Sequence, residues 1–214
     1  PTRKIMDFDP EFNMALQMLS AADKDKLILR LLKKDPALAN KLRFELVDTD
    51  SVADKREQLK IRIHKQMQRA SELYYSPGIL LMDARERRRE FNEPVSVTKD
   101  KQGEISLNCF MLHLLLELNN KRIADEKYGK AYTLCMYIIA RIFKIMMLIQ
   151  KQHEDLHIEF KDDLEIVGTF IENNPNLMKM AINNGLDVNW LIHFDIPKNI
   201  AGIYKEVREN GLLK

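Results

Sequence analysis

The chain has 214 residues, of which 45% are hydrophobic and 31% charged, with only 7 Gly, 7 Pro and 2 Cys and a formal net charge of +2. That balance excludes a disordered or low-complexity chain and points to a folded helical protein long enough to bury a substantial core. So few glycines argue against nucleotide-binding loops, and a near-neutral charge argues against a general attraction to nucleic acid.

Residues 1–10 are polar and lack the apolar stretch of a secretion leader, so a cytoplasmic location is expected. Asp9 before Pro10 marks a helix start, because proline lacks the amide hydrogen that the first turn leaves unpaired. That helix runs to about Leu19. Ser20 with Asp23 is a capping-box variant opening a helix from Ala21 to Lys34, and Asp35 with Pro36 opens one to about Val47. Leu27, Leu31, Leu38, Leu42 and Leu46 fall at helical spacing, so residues 9–48 read as short helices joined by tight turns. The run LILRLLKKDPALANKL resembles the short helix pairs of HEAT-like and other α-solenoids.

Asp54 to Tyr75 reads as a longer helix with Leu59, Ile63, Met67, Ala70 and Tyr74 as its apolar stripe. After the break at Ser76, Pro77 and Gly78, a helix resumes from Ile79 to Phe91. Pro94 to Leu107 reads as a β-hairpin, because Val95 and Val97 alternate with polar residues, as do Ile105 and Leu107 beyond a Lys-Asp-Lys-Gln-Gly turn. Leu107 to Leu118 and Ala131 to Ile149 are apolar on most sides and are expected to be the central helices, with Ile138, Ile142 and Ile145 buried. Arg141 and Lys144 would be costly in lipid, so no membrane span is expected at the second. Cys109 and Cys135 lie in apolar runs and read as buried free thiols.

Lys161 to Asn173 and Pro175 to Asn184 read as amphipathic helices, the second capped by Asn174 and stopped at Gly185 with Leu186 beyond. NNGLDVN at 183–189 resembles part of an ankyrin repeat, without that repeat's Thr-Pro-Leu-His opening. A final helix spans Pro197 to Leu213, and its ending YKEVRENGLLK resembles a recognition helix leading into a wing, though no wing strands follow.

The expected fold is all-α, a multi-helix bundle or short α-solenoid-like array with one small β-hairpin insertion. Its regions are an N-terminal helical hairpin region over 1–92, the hairpin over 93–107 and a C-terminal helical bundle region over 108–214, in one continuous body.

Three groups of residues could carry chemistry. His153, Glu154 and His157 match the H-E-x-x-H pattern and so resemble zinc metalloproteases. In a helix the two imidazoles would share a face, and Glu154 would serve as base toward a zinc-bound water. Asp155 places a charge where zincins carry none, and no third ligand is fixed by spacing. His113 and Glu117, four apart, form a second candidate metal pair, or with Asn120 the one stripe of their helix that meets water. No bound zinc or other cofactor is therefore expected. The third group is basic: Lys55, Arg56, Lys60, Arg62, Lys65 and Arg69 on one helix, opposed only by Glu57, are candidates for phosphate contact with nucleic acid. Charge is also segregated, with 19 Lys and Arg against 12 Asp and Glu over 54–153, and 2 against 9 over 154–195.

The function expected is a non-enzymatic helical interaction or scaffold protein, engaging a protein partner or forming a homo-oligomer, with no membrane involved. The alternatives are a nucleic-acid-binding protein using helix 55–69 and an HExxH zinc-dependent hydrolase.

Overall fold

The computed structural model describes residues 8–47, 51–98 and 100–213, without the side chains of 37, 44, 45, 92–94 and 96–98. The polar opening 1–7, which underlies the expectation of no leader, and Lys99 of the expected turn lie outside it. The described chain is all-α and divides into two compact units, Pro1–Thr49 and Asp50–Lys214.

In the first unit, α1 (Pro10–Met18), α2 (Ala21–Leu32) and α3 (Pro36–Leu46) each begin at a side chain that satisfies an orphan amide. The Asp9 carboxylate accepts from the Phe12 amide at 2.7 Å, Ser20 from Asp23 at 3.2 Å and Asp35 from Leu38 at 3.0 Å. No described residue of these helices is buried.

The second unit opens with α4 (Val52–Glu72), started by a reciprocal capping box between Ser51 and Asp54 and buried along Leu59, Ile63, Met67 and Ser71. Next come α5 (Pro77–Thr98), α6 (Lys101–Asp125) and α7 (Tyr128–Ile149). One turn, α8 (Glu154–His157), runs into a 3-10 turn, Ile158–Phe160. Then follow α9 (Lys161–Glu172), α10 (Pro175–Asn183), α11 (Asn189–Ile192) and α12 (Ile200–Glu209). Helix α6 is the axis of this bundle, because α4, α5, α7, α9 and α10 all pack on it, while α12 covers α7 and α11 covers α9.

The core follows from that enclosure. Leu112, Leu115 and Leu116 of α6 and Ile138, Ile142, Phe143 and Met146 of α7 are fully buried, each side chain contributing about 1.5–3 kcal/mol through removal from water. Helix α7 is long and apolar enough by length and composition to cross a membrane, with a mean hydropathy of 1.7, yet α5, α6, α10 and α12 surround it. Cys109 and Cys135 are buried free thiols, and burial pushes Cys135 up to about 12.

The hairpin expected over 94–107 is absent, and among the described residues there is no strand at all. Helix α5 continues past Phe91 to Thr98, across the expected start of the insertion at 93, and α6 already begins at Lys101. The supposed turn is a helix start: the Asp100 carboxylate accepts from the Gly103 amide at 2.8 Å. Ile105 and Leu107 mimic strand alternation because a helix enclosed on nearly every side buries residues two apart as readily as four apart.

Buried asparagines fix the other end of α6. The Asn176 amide donates to the carbonyls of Ile123 at 2.8 Å and Glu126 at 2.9 Å, and Asn174 donates to the Asn120 carbonyl at 3.0 Å. The Ile123 carbonyl, in the last turn of α6 where no partner within the helix remains, thus finds one at the start of α10. Beyond α10, Gly185 takes a φ of +69°, and the Leu186 amide returns to the Ala181 carbonyl at 3.0 Å, closing the expected left-handed cap.

Candidate functional site

The apolar stripe of α4 decides where its basic residues point. With Leu59, Ile63 and Met67 against the bundle, the six candidate cations turn two ways. Arg62, Lys65 and Arg69 are exposed, at spacings of three and four along one side. Lys55, Arg56 and Lys60 are half-buried. Arg56 grips Asp100 in a two-pronged ion pair, Nε to Oδ2 at 3.0 Å and Nη2 to Oδ1 at 2.7 Å, so the carboxylate that caps α6 also anchors α4. Lys60 holds its ammonium 5.9 Å from the centre of the Phe110 ring. The sequence reading missed Asp100 as a partner because the two residues lie 44 apart in the chain.

The HEDLH segment does not continue the core helix. Helix α7 stops at Ile149, and His153 is extended, with φ −62° and ψ 141°, as the N-cap of α8. Its Nδ1 lies 3.2 Å from Asp155 Oδ2 and the side chain is exposed. His157 Nε2 lies 3.2 Å from the Gln152 carbonyl oxygen. The paired imidazoles of a zincin need two residues on one helical face, and His153 stands outside the helix that contains His157. Glu154 and His157 line a cavity of about 270 Å³ with Gln150, Asp195 and Lys198, and His153 is not among its walls.

His113 and Glu117 lie one turn apart on α6, with His113 facing α9. His113 Nε2 lies 3.8 Å from Glu117 Oε2, and its ring tilts against Phe170 of α9 with centroids 6.1 Å apart. Asp163, half-buried on α9, feels both His113 and Lys60 as positive charges, yet burial outweighs them and holds its carboxyl above the ordinary range. Phe170 also borders an open cavity of about 380 Å³ with Asp162, Glu165, Ile166 and Thr169. Among the described residues no three His, Cys, Asp or Glu side chains gather as a ligand set.

No protein-family model, curated protein or solved structure matches this chain.

Exposed apolar side chains recur along the first unit. In the first unit Phe12, Met14 and Met18 of α1, Ile28, Leu29 and Leu31 of α2, and Leu38 and Leu46 of α3 are all exposed, Leu46 at 78%. Single exposed leucines are ordinary on a folded protein, but amphipathic helices usually bury their apolar stripe and these do not. The leucine spacing of 27–46 was visible in the sequence; that the first unit buries none of these side chains within itself was not. A second apolar pair, exposed Leu73 and Ile79, borders a cavity of about 440 Å³ between α4 and α5 that Arg69 and Asp83 also line.

Proposed function

We propose that this chain is a non-enzymatic helical interaction protein whose α1–α3 helices dock onto the apolar surface of another protein, a second copy of itself included. The observation that carries the reading is the exposure of Leu29, Leu31, Leu38 and Leu46 on helices that bury no described residue. Helices this short are marginal alone in water and draw their stability from packing, so a covering partner is the physical complement they lack. Buried free thiols accord with work in the cytoplasm.

Light scattering of the full chain over a range of concentrations tests this, with the double variant Leu31→Glu, Leu38→Glu as comparison. Association that the variant abolishes while retaining helical circular dichroism supports a second copy as partner. A monomer that co-purifies stoichiometrically with one other protein, and loses it in the variant, supports a heterologous partner. A wild-type chain that does neither refutes the proposal.

A second reading, nucleic-acid binding, rests on the exposed run Arg62, Lys65 and Arg69. With three of the six cations half-buried, only a short phosphate track remains. Binding should then be weak, fall as salt rises and lose about one unit of salt slope per lysine or arginine removed. No binding at low salt removes this reading.

A further inference from the structure

Where α5 packs on α7, positive charge gathers around one tyrosine. Tyr137, Arg141 and Lys144 fall on one side of α7 at spacings of four and three, and Arg85 and Arg88 fall three apart on the neighbouring α5. The guanidinium carbons of Arg85 and Arg141 lie 5.8 and 5.7 Å from the centre of the Tyr137 ring. Arg141 is only 8% exposed. Among the described residues it has no ion pair, and Glu104 is the sole carboxylate whose charge reaches it, more weakly than the opposing charge of Arg88.

Two donors here have no partner. The Tyr137 hydroxyl and Arg88 Nε are both shielded from solvent and make no hydrogen bond. Buried polar groups are nearly always paired, and leaving one unpaired costs about 1–3 kcal/mol. The cations also oppose one another: burial together with the charges of Arg141, Arg88 and Arg208 pulls Lys144 below its ordinary range. Like charges held together in a poorly solvated place, beside unpaired donors, are the arrangement that an anion with several oxygens completes. Arg85 and Lys144 are exposed and Arg141 is buried, so the cluster runs from the surface inward.

We propose that this cluster binds a phosphate group, free or carried on a small molecule, with Arg88, Arg141 and the Tyr137 hydroxyl donating to its oxygens and Arg85 and Lys144 balancing its charge at the rim. Guanidinium groups fit the tetrahedral anion through paired N–H donors, and its near-double charge matches the local excess.

Calorimetric titration of the full chain with inorganic phosphate, and separately with phenyl phosphate, tests the proposal against sodium chloride at equal ionic strength. Saturable binding of about one equivalent is expected, weakened at least ~10-fold by Arg88→Gln and by Tyr137→Phe, which keeps the ring and removes the hydroxyl. Binding of inorganic phosphate alone assigns the site to the free anion; binding of phenyl phosphate as well assigns it to a phosphorylated small molecule. Stability supplies an independent reading. In phosphate-free buffer Arg88→Gln should melt at or above the wild-type temperature, because it relieves repulsion, and in saturating phosphate it should melt below it. Failure of both probes to bind saturably, or affinities unchanged in the two variants, overturns the proposal.

Discussion

Changing Gly103 to Ala should destabilise the protein, although alanine is ordinarily the better helix residue. A β-carbon at 103 would overlap the Asp100 carboxylate and lie 3.0 Å from Arg56 Nε. Alanine in place of glycine contributes about 0.5–1 kcal/mol within a helix. Against that, displacing Asp100 forfeits the cap of α6, about 1 kcal/mol, and weakens a part-buried charge-assisted pair with Arg56 whose hydrogen bonds contribute about 1.5–3 kcal/mol. The net expectation is a loss of about 1–3 kcal/mol. Urea denaturation followed by fluorescence of Trp190, the sole tryptophan, reads the second unit directly. A double-mutant cycle sharpens the test: in an Asp100→Ala background the obstruction is gone, so Gly103→Ala should become neutral or stabilising. Gly129→Ala, where nothing lies within 4 Å of the new carbon, should not destabilise. A Gly103→Ala protein within about 0.5 kcal/mol of wild type, or equal losses in both backgrounds, would refute the reasoning.

Ile142, fully buried at the centre of α7, should cost about 2–5 kcal/mol when changed to Ala, and a denaturation midpoint that scarcely moves would show that α7 does not form the core. Asp163 has a carboxyl whose folded range is raised by burial, so its ionisation opposes folding above the ordinary value of 3.8. The penalty is absent where both states are protonated, grows as pH rises through the folded range and is complete at neutral pH. Asp163→Asn should therefore raise the melting temperature at neutral pH, with the gain shrinking toward strongly acid pH; an equal gain at all pH values contradicts the assignment. Metal analysis of untagged protein is expected to find no stoichiometric zinc. About one zinc per chain, lost on changing His153 or His157 to Ala, would instead require the HEDLH segment to rearrange into a metal site.

Local chemistry was readable from the sequence wherever one residue and its near neighbours decide the outcome. Asp9 with Pro10, Ser20 with Asp23, Asp35 with Pro36 and Asn174 with Pro175 each start a helix as their capping side chains require. The reading failed where a helix lost its usual signature. Because α6 is enclosed by five others, its apolar residues follow no single stripe, and a two-residue alternation at its start imitated a strand. The HEDLH pattern has a different limit: its spacing presumes one continuous helix, and the polar run Gln150 to Gln152 ends α7 before His153. The Tyr137 cluster was half visible, since Arg141 and Lys144 stand out in an apolar run, but Arg85 and Arg88 reach it from more than forty residues away. Pairings at such distances, like Arg56 with Asp100, belong to the packing of helices and leave no trace in local spacing.

The Asn176 clip has a consequence for the order in which the chain can acquire structure during synthesis. The carbonyl of Glu126 waits for a donor 50 residues further along, and that of Ile123 for one 53 residues along. A nascent chain that has released α6 and α7 but not yet α10 can collapse around its leucines and isoleucines, yet the end of its axial helix stays open to water. Translation, which proceeds at about 5–20 residues per second, thus leaves this joint unlatched for several seconds. Fragments ending before residue 174 should keep the beginning of α6 and fray at its end.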